Sequence, residues 1–312
     1  MNLTPKISLL IHSLLSAMIM TACSGGNTEK QSEVNLPENQ SLKLNLRSQQ
    51  QIGGQEDKWE MVQKEERWDP AKTAVIVTDM WDKHWCESAT QRVAEMAPAM
   101  DEVLVQARNL GMLIIHSPSG TLDHYKESPQ RQRAAKANFH PAPQGIDLQE
   151  WCYLDPEKED QLPIDDSDGG CDKPCKNGDP CVEETAWSRQ IEALKIYDGD
   201  YISDNGQEIY NVLMDNGVQN IMIMGVHLNM CVLGRSFGIR QMAKLGKNVV
   251  LVRDMTDTMY NPEMAPYVNH FEGTDLVIEH VEKYWAPTIS SQDLTGKSPF
   301  KFREDNRTQR GI

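Results

Sequence analysis

The sequence has 312 residues, with 46 acidic and 31 basic side chains that give a formal net charge of −15 at pH 7. This excess of negative charge argues against nucleic acids and anionic membrane surfaces as partners, because both repel an acidic protein. The part with regular hydrophobic patterning, residues 68–289, has the length of one large α/β domain.

The first 22 residues have the pattern of an export signal. Lys6 is their one charged residue, and the mostly apolar run that follows is short for a membrane span. Residues 20–23 resemble a bacterial lipobox, which implies a lipid anchor at Cys23 and a membrane-bound, extracytoplasmic protein. An uncleaved anchor is the alternative, and it gives the same location. Residues 23–67 are predicted to be a disordered tether because they are polar and unpatterned, and residues 290–312 are predicted to be a polar tail.

Strands alternate with helices through residues 68–289. Continuous apolar runs predict buried strands, and apolar residues at helical spacing predict the helices. The predicted strands are residues 73–79, 112–115, 194–197, 221–224 and 248–254; the predicted helices are residues 89–110, 128–137, 207–216 and 230–245, with a final helix or strand at 271–284. The alternation predicts a doubly wound, mainly parallel sheet in a three-layer α/β/α fold.

Four chemically active side chains stand at predicted strand ends: Asp79, His116, Cys231 and Asp254. In a doubly wound fold the carboxyl ends of the strands form the rim where ligands bind, so these residues are expected to share that rim. Cys231 would lie in the first turn of a helix, with Asn229 as N-cap. The free amide groups and the helix dipole there favour a thiolate, lower the thiol pKa and suit an oxyanion. The alternative is a buried structural cysteine.

Three stretches make the sequence resemble the isochorismatase-like cysteine hydrolases, which include nicotinamidases and N-carbamoylsarcosine amidases: residues 73–79, 225–232 and 248–254. The resemblance implies that Cys231 attacks an amide carbonyl and that Asp79 takes its proton, so that a small carbon–nitrogen substrate is hydrolysed through a thioester. No cofactor is implied.

The resemblance also implies a lysine as the third catalytic residue and a cis peptide bond between Val226 and His227. That bond would aim the amide groups of His227 and Cys231 into an oxyanion hole. Lys195 is the nearest candidate lysine, although its distance from Ser203 is longer than the family pattern.

Two other functions stay open at this point. The same fold could act on a vinyl ether or an ester, although family members that cleave the vinyl ether of isochorismate lack this cysteine. A non-catalytic binding lipoprotein could also have kept the pocket and lost the lysine. Family members often pair or form larger assemblies, so a homo-oligomer is a further expectation.

An aromatic loop follows Asp79 directly. Trp81, His84 and Trp85 are predicted, together with His116, to line the substrate pocket. Asp82 and His84 have the Asp-x-His spacing with which nicotinamidases hold a metal, but they lie in a different loop. A packed aromatic loop is therefore favoured over a metal site.

Residues 140–190 form a long acidic insertion that contains four cysteines: Cys152, Cys171, Cys175 and Cys181. In an exported chain these favour disulfides, and a zinc site is disfavoured because there is no CxxC pair. With Cys86 the set has five members, so at most two bridges form. A bridge from Cys86 would fasten the insertion as a lid, and the insertion is expected to border the pocket and to restrict access to it.

Overall fold

The computed structural model describes residues 41–53, 58–173 and 186–307, all within one unit, Leu36–Ile312. The expected signal, residues 1–22, and the lipidation candidate Cys23 lie outside the described residues. Within the described part of the chain, no helix combines the length and the apolar character needed to cross a bilayer.

One eight-stranded sheet organises the molecule. The strands are β1 Leu42–Gln51, β2 Trp59–Trp68, β3 Thr73–Thr78, β4 Leu113–Ser117, β5 Tyr201–Ile202, β6 Asn220–Val226, β7 Asn248–Asp257 and β8 Thr288–Ile289, in the spatial order β2-β1-β8-β7-β6-β3-β4-β5. From β8 to β5 all neighbours are parallel, and β1 runs antiparallel to both β2 and β8. The central strands β3 and β6 are buried along their whole length, as their continuous apolar runs predict.

Helices cover both faces of the sheet. They are α1 Glu87–Asn109, α2 Leu122–Tyr125, α3 Pro129–Ala135, α4 Gly206–Asp215, α5 Ile239–Lys244, α6 His270–Tyr284 and α7 Gln292–Thr295. Val75 and Val77 of β3 pack with α1 in one apolar cluster, whereas Ala74 and Ile76 pack in the other cluster, with α4, α5 and α6. The predicted three-layer, mainly parallel α/β fold is therefore confirmed.

The prediction of a disordered tether is wrong for the second half of residues 23–67. β1 and β2 pair along their entire length and extend the sheet as an antiparallel hairpin. Leu42, Leu44 and Leu46 point into the core at every second position while their neighbours face solvent. This period of two defines a half-buried strand, and the many Gln, Glu and Lys residues around it hide the pattern in the composition.

Two further element predictions are corrected. The predicted strand at 194–197 is absent: the amide of Leu194 closes a turn on the carbonyl of Ile191, residues 195–197 have no regular secondary structure, and the edge strand is β5 instead. The predicted helix 230–245 is divided: a five-residue π-helical turn, Leu228–Val232, is followed by an irregular stretch and then by α5.

The predicted polar tail also contributes to the domain. Its residues 290–307 contain α7, and Phe300 and Phe302 pack against the core. The side chain of Asp254 fixes this segment by accepting hydrogen bonds from the amides of Ser291 and Phe300, at 2.7 and 2.9 Å.

Candidate active site

Asp79 lies directly beyond β3, with its side chain fully buried at the carboxyl end of the sheet. Its backbone has a φ of 49°, in the left-handed region that Asp tolerates better than most residues. One carboxylate oxygen accepts a hydrogen bond from the amide of Ser119 at 2.7 Å. The other faces the guanidinium of Arg235, whose Nε and Nη2 are each 3.3 Å away.

Cys231 reaches the same point from the turn that follows β6. The peptide bond between Val226 and His227 is cis, and Leu228–Val232 then form the π-helical turn, in which the amide of Val232 donates to the carbonyl of His227 at 3.1 Å. Cys231 is 9% exposed, and its thiol lies beside both Asp79 and Arg235 and interacts with them electrostatically. The structure thus brings the predicted nucleophile and the predicted base into contact.

The electrostatics of this contact differ from the sequence prediction. Burial raises the pKa of the Cys231 thiol above its ordinary value, the negative charge of Asp79 raises it further, and Arg235 opposes both. A one-turn helix also supplies little dipole. Burial raises the pKa of Asp79 as well, against the lowering effects of Arg235, the thiol and Ser119. The resting cysteine is therefore a neutral thiol beside the Asp79 carboxyl group, in contrast to the standing thiolate that the sequence predicted.

Arg235 is the cation that contacts Asp79 in this site, and it was not among the catalytic residues predicted from the sequence. Its position four residues after Cys231 was the available signal, because residues at that spacing share one face of a helix. Lys195, the predicted third member, is exposed. Its ammonium group donates to the carbonyl of Glu192 at 2.9 Å, and its amide is held by Asp101 of α1 at 2.8 Å. The structure therefore assigns the contact with Asp79 to Arg235.

An aromatic cluster stands beside the cis bond. Trp81, His84 and Trp85 gather there, and Trp187 joins them from the far end of the insertion. The centroid of Trp187 lies 4.2 Å from that of Trp81 in a stacked pair, and His84 lies 5.1 Å from His227. Burial lowers the pKa of His84 to about 4 and that of His227 well below its ordinary value. Both imidazoles are neutral at pH 7, so this wall of the site is uncharged.

His116 does not line the site as predicted. Its side chain is fully buried, with Nδ1 2.9 Å from Gln190 Oε1 and Nε2 3.2 Å from Asp200 Oδ2. Both ring nitrogens thus hold the loops behind the rim together. Asp254, the other polar residue expected on the rim, binds the C-terminal segment, since β7 continues past it to Asp257.

The Asp-x-His pair of the aromatic loop is engaged in other contacts. Both carboxylate oxygens of Asp82 accept hydrogen bonds from Ser188, at 2.9 and 2.6 Å, and His84 packs among aromatic rings. Among the described residues, the grouping with metal-ligand spacing is Cys86, Cys171 and Asp172. Its two sulfurs form a disulfide and cannot serve as thiolate ligands.

The insertion borders the site, as expected. Trp151 packs directly on Gly234, where an added Cβ would lie 2.3 Å from the indole ring, and its ring lies 5.4 Å from the Arg235 guanidinium. The amide of Cys152 donates to the carbonyl of Gly234 at 2.7 Å. These contacts place the insertion directly over the nucleophile turn.

Two further links fasten the insertion. Cys86, at the start of α1, forms a disulfide with Cys171, with 5.6 Å between the Cα atoms. Asn229, expected to cap a helix, instead lies inside the π-helical turn and donates from Nδ2 to Asp166 at 2.7 Å. Cys152 is buried without a disulfide, and Cys175 and Cys181 lie outside the described residues.

Comparisons with known proteins were made at three levels. No protein-family model matches the sequence, and no curated protein is significantly similar to it. Among solved structures, a cysteine hydrolase from Pseudomonas syringae pv. phaseolicola is 15% identical with a TM-score of 0.44, over 73% of this chain and 93% of that one. An isochorismatase from Pseudomonas putida is 14% identical with a TM-score of 0.43, over 72% of this chain and 91% of that one. The N-carbamoylsarcosine amidase of Thermoplasma acidophilum is 12% identical with a TM-score of 0.37, over 70% of this chain and 96% of that one.

Proposed function

We propose that this protein is a cysteine hydrolase that cleaves an amide or related carbon–nitrogen bond in a small molecule. The observation that carries the proposal is the buried contact of Cys231, Asp79 and Arg235 at the carboxyl rim of the sheet. A nucleophile, a proton acceptor and a fixed positive charge within hydrogen-bonding reach of one another form the arrangement that covalent catalysis requires.

In the proposed first half-reaction, the Cys231 thiol gives its proton to Asp79 as the sulfur attacks the substrate carbonyl. The amide groups of His227 and Cys231 are the proposed donors to the resulting oxyanion. Asp79 then passes the proton to the departing nitrogen, the carbon–nitrogen bond breaks, and ammonia or an amine leaves a thioester on Cys231.

In the second half-reaction, Asp79 takes a proton from water as the water oxygen attacks the thioester. The carbon–sulfur bond breaks, the sulfur recovers a proton from Asp79, and a carboxylic acid is released. Arg235 keeps its charge at neutral pH, so its proposed role is to stabilise the developing thiolate rather than to transfer a proton. It also keeps Asp79 available as an acceptor by lowering the pKa of that carboxyl group.

The surroundings favour a small substrate. Cys231 and Asp79 are both buried, and the insertion lies over the nucleophile turn. The neutral rings of Trp81, His84 and His227 offer an uncharged surface beside the cis bond. We expect this surface to hold a planar or apolar part of the substrate.

The test is turnover on a panel of small primary amides, with ammonia release as the readout and Cys231→Ser as the control. Trapping of an acyl group on Cys231, detected by mass spectrometry, would support the thioester. Turnover of esters or vinyl ethers in place of amides would move the assignment to the other substrate classes. If iodoacetamide labelled Cys231 no faster than the buried Cys152 and no substrate turned over, a binding role would replace the enzyme.

We also propose that the enzyme works outside the cytoplasm, anchored through a lipid on Cys23. The Cys86–Cys171 disulfide supports an oxidising compartment, because such bridges are rare where glutathione keeps thiols reduced. Labelled palmitate should be incorporated into the full chain and should be lost in Cys23→Ala, with Cys152→Ala as the control. Incorporation that persists in Cys23→Ala would contradict the anchor.

A further inference from the structure

A cavity of about 280 Å³ lies between β7, α6 and the C-terminal segment. Its wall combines apolar and charged side chains, among them Arg253, Phe271, Phe300 and Phe302. The proposed catalytic residues do not line it, so it is separate from the site described above.

An irregularity in β7 lies beside this cavity. Along β6, Ile223 pairs with Leu251, but Gly225 pairs with Thr256, so β7 carries extra residues at this point. Such a bulge takes side chains out of the regular ladder. It carries Arg253 and Asp254, and Asp254 holds the C-terminal segment through the amides of Ser291 and Phe300, as described above.

Aromatic rings from two elements form the apolar wall. The ring centroids of Phe300 and Phe302 in the C-terminal segment are 5.0 Å apart, and Phe302 stacks on Phe271 of α6 at 5.4 Å. The cluster gives the cavity a preformed surface against which a flat or chain-like apolar group can pack.

Arg253 has an unusual environment for a cation. Its Nε is buried and has no hydrogen-bond partner within the described residues, and its Nη1 lies 3.5 Å from the hydroxyl of Thr288. Burial and the neighbouring charge of Arg47 lower the pKa of Arg253. The carboxylates of Asp254, Glu282 and Asp293 act on it electrostatically, but among the described residues none forms a salt bridge with it. A partly buried guanidinium without a bound carboxylate is costly, so this side chain can receive an anion.

Other charged side chains in the cavity wall either form salt bridges with neighbouring residues or restrict the charge that a ligand can carry. Arg47 pairs with Glu282 at 2.7 Å, and Arg307 binds Asp275 and Asp305 at 2.6 and 2.8 Å. Further carboxylates line the cavity, among them Glu272 and Glu279. These acids disfavour a multiply charged anion and favour a ligand with a single negative charge.

We propose that this cavity binds a small organic monocarboxylate, with its carboxylate at the guanidinium of Arg253 and its apolar body against Phe271, Phe300 and Phe302. A guanidinium matches a carboxylate in both charge and geometry. The volume fits a ligand about the size of one aromatic ring with its carboxylate. The proposal does not depend on the proposed catalytic activity, since it uses a different set of residues.

The test is calorimetric titration of Cys231→Ser, which removes turnover, with benzoate as the probe and benzyl alcohol as the neutral analogue. Benzoate should bind saturably, and benzyl alcohol about tenfold or more weaker, since a charged hydrogen bond contributes more than a neutral one. Arg253→Gln should weaken benzoate binding by about the same factor. The control Arg303→Gln alters an exposed arginine of the same segment, with 86% of its side chain accessible, and should leave binding unchanged.

Three results would overturn the proposal: no saturable benzoate binding, equal binding of the neutral analogue, or unchanged binding in Arg253→Gln. The comparison of benzoate with benzyl alcohol needs no substitution in the cavity, so it decides the question even if Arg253→Gln does not fold. Phe300→Ala provides a second check, because loss of the ring should weaken both probes together.

Discussion

At the scale of single residues, the site depends on how one proton is shared between Cys231 and Asp79. Burial disfavours both ionised forms, so neither group would ionise readily alone. Arg235 opposes that effect on both groups, and its guanidinium remains charged at any working pH. Activation of the sulfur is therefore expected to coincide with substrate attack rather than to precede it.

Replacing the guanidinium should lower activity and shift its pH dependence. Arg235→Gln removes the charge that lowers the pKa of Asp79, so that pKa rises and the carboxylate form is lost at a higher pH than before. The acid limb of the kcat/KM profile should move to higher pH, and kcat/KM at neutral pH should fall by about 100-fold, equivalent to ~2.7 kcal/mol. Arg235→Lys should restore part of the loss. An unshifted acid limb in Arg235→Gln would show that Arg235 acts through packing alone.

The buried histidine of the aromatic loop predicts how stability depends on pH. Burial lowers the pKa of His84 to about 4, below the value of about 6.5 expected in the unfolded chain. The unfolded state therefore binds more protons between these values. The stability contributed by the neutral ring is fully present above about pH 6.5 and is lost as the pH falls towards 4.

This loss can be measured by urea unfolding at pH 7 and pH 4.5. His84→Phe should reduce the difference in unfolding free energy between the two conditions by on the order of 2 kcal/mol, because phenylalanine does not titrate. His140→Gln is a suitable control, since His140 is a more exposed histidine paired with Asp215. An equal pH dependence in His84→Phe and in the parent would contradict the buried, neutral imidazole.

At the scale of elements, the sequence predicted the central strands that carry the chemistry and missed the strands at the edges. The continuous apolar runs of β3 and β6 are unambiguous, because such strands are buried on both faces. The nucleophile turn was placed in a regular helix because its apolar spacing is helical, yet the chain forms a π-helical turn there. Arg235 was missed because contact with Asp79 depends on where that turn directs a side chain.

The contribution of the β1–β2 hairpin to the folded core can be tested directly. Leu44 is fully buried, so Leu44→Ala should destabilise the protein by about 2–4 kcal/mol, the cost of deleting a core side chain. Lys43→Ala, at the adjacent exposed position, should change the unfolding free energy by less than about 1 kcal/mol. Urea unfolding measures both. If the two variants were equally stable, residues 42–46 would behave as the tether that their composition first indicates.

At the scale of the whole molecule, distant segments of the chain enclose one buried contact. Trp151, Asp166 and Trp187 of the insertion each touch a different part of the rim. The sequence predicted that the insertion borders the pocket and that Cys86 forms a bridge to it. The partner of Cys86 could not be predicted, because five candidate cysteines leave several pairings open and the actual pairing depends on which loops meet.

The Cys86–Cys171 disulfide links positions 85 residues apart, from the start of α1 to the insertion. Its removal should increase the freedom of the unfolded chain and lower the unfolding free energy by about 2–4 kcal/mol. The insertion should then become the first segment cut by protease, because its described residues, 140–173 and 186–190, have little regular secondary structure to hold them once the link is broken. Urea unfolding and limited proteolysis of Cys171→Ala measure the two effects.

Cys152→Ala is the control. It changes a buried cysteine of the same insertion that forms no disulfide, so it should respond to reductant as the parent does. Equal stability of the parent with and without reductant would show that the insertion is held by Trp151, Asp166 and Trp187 alone.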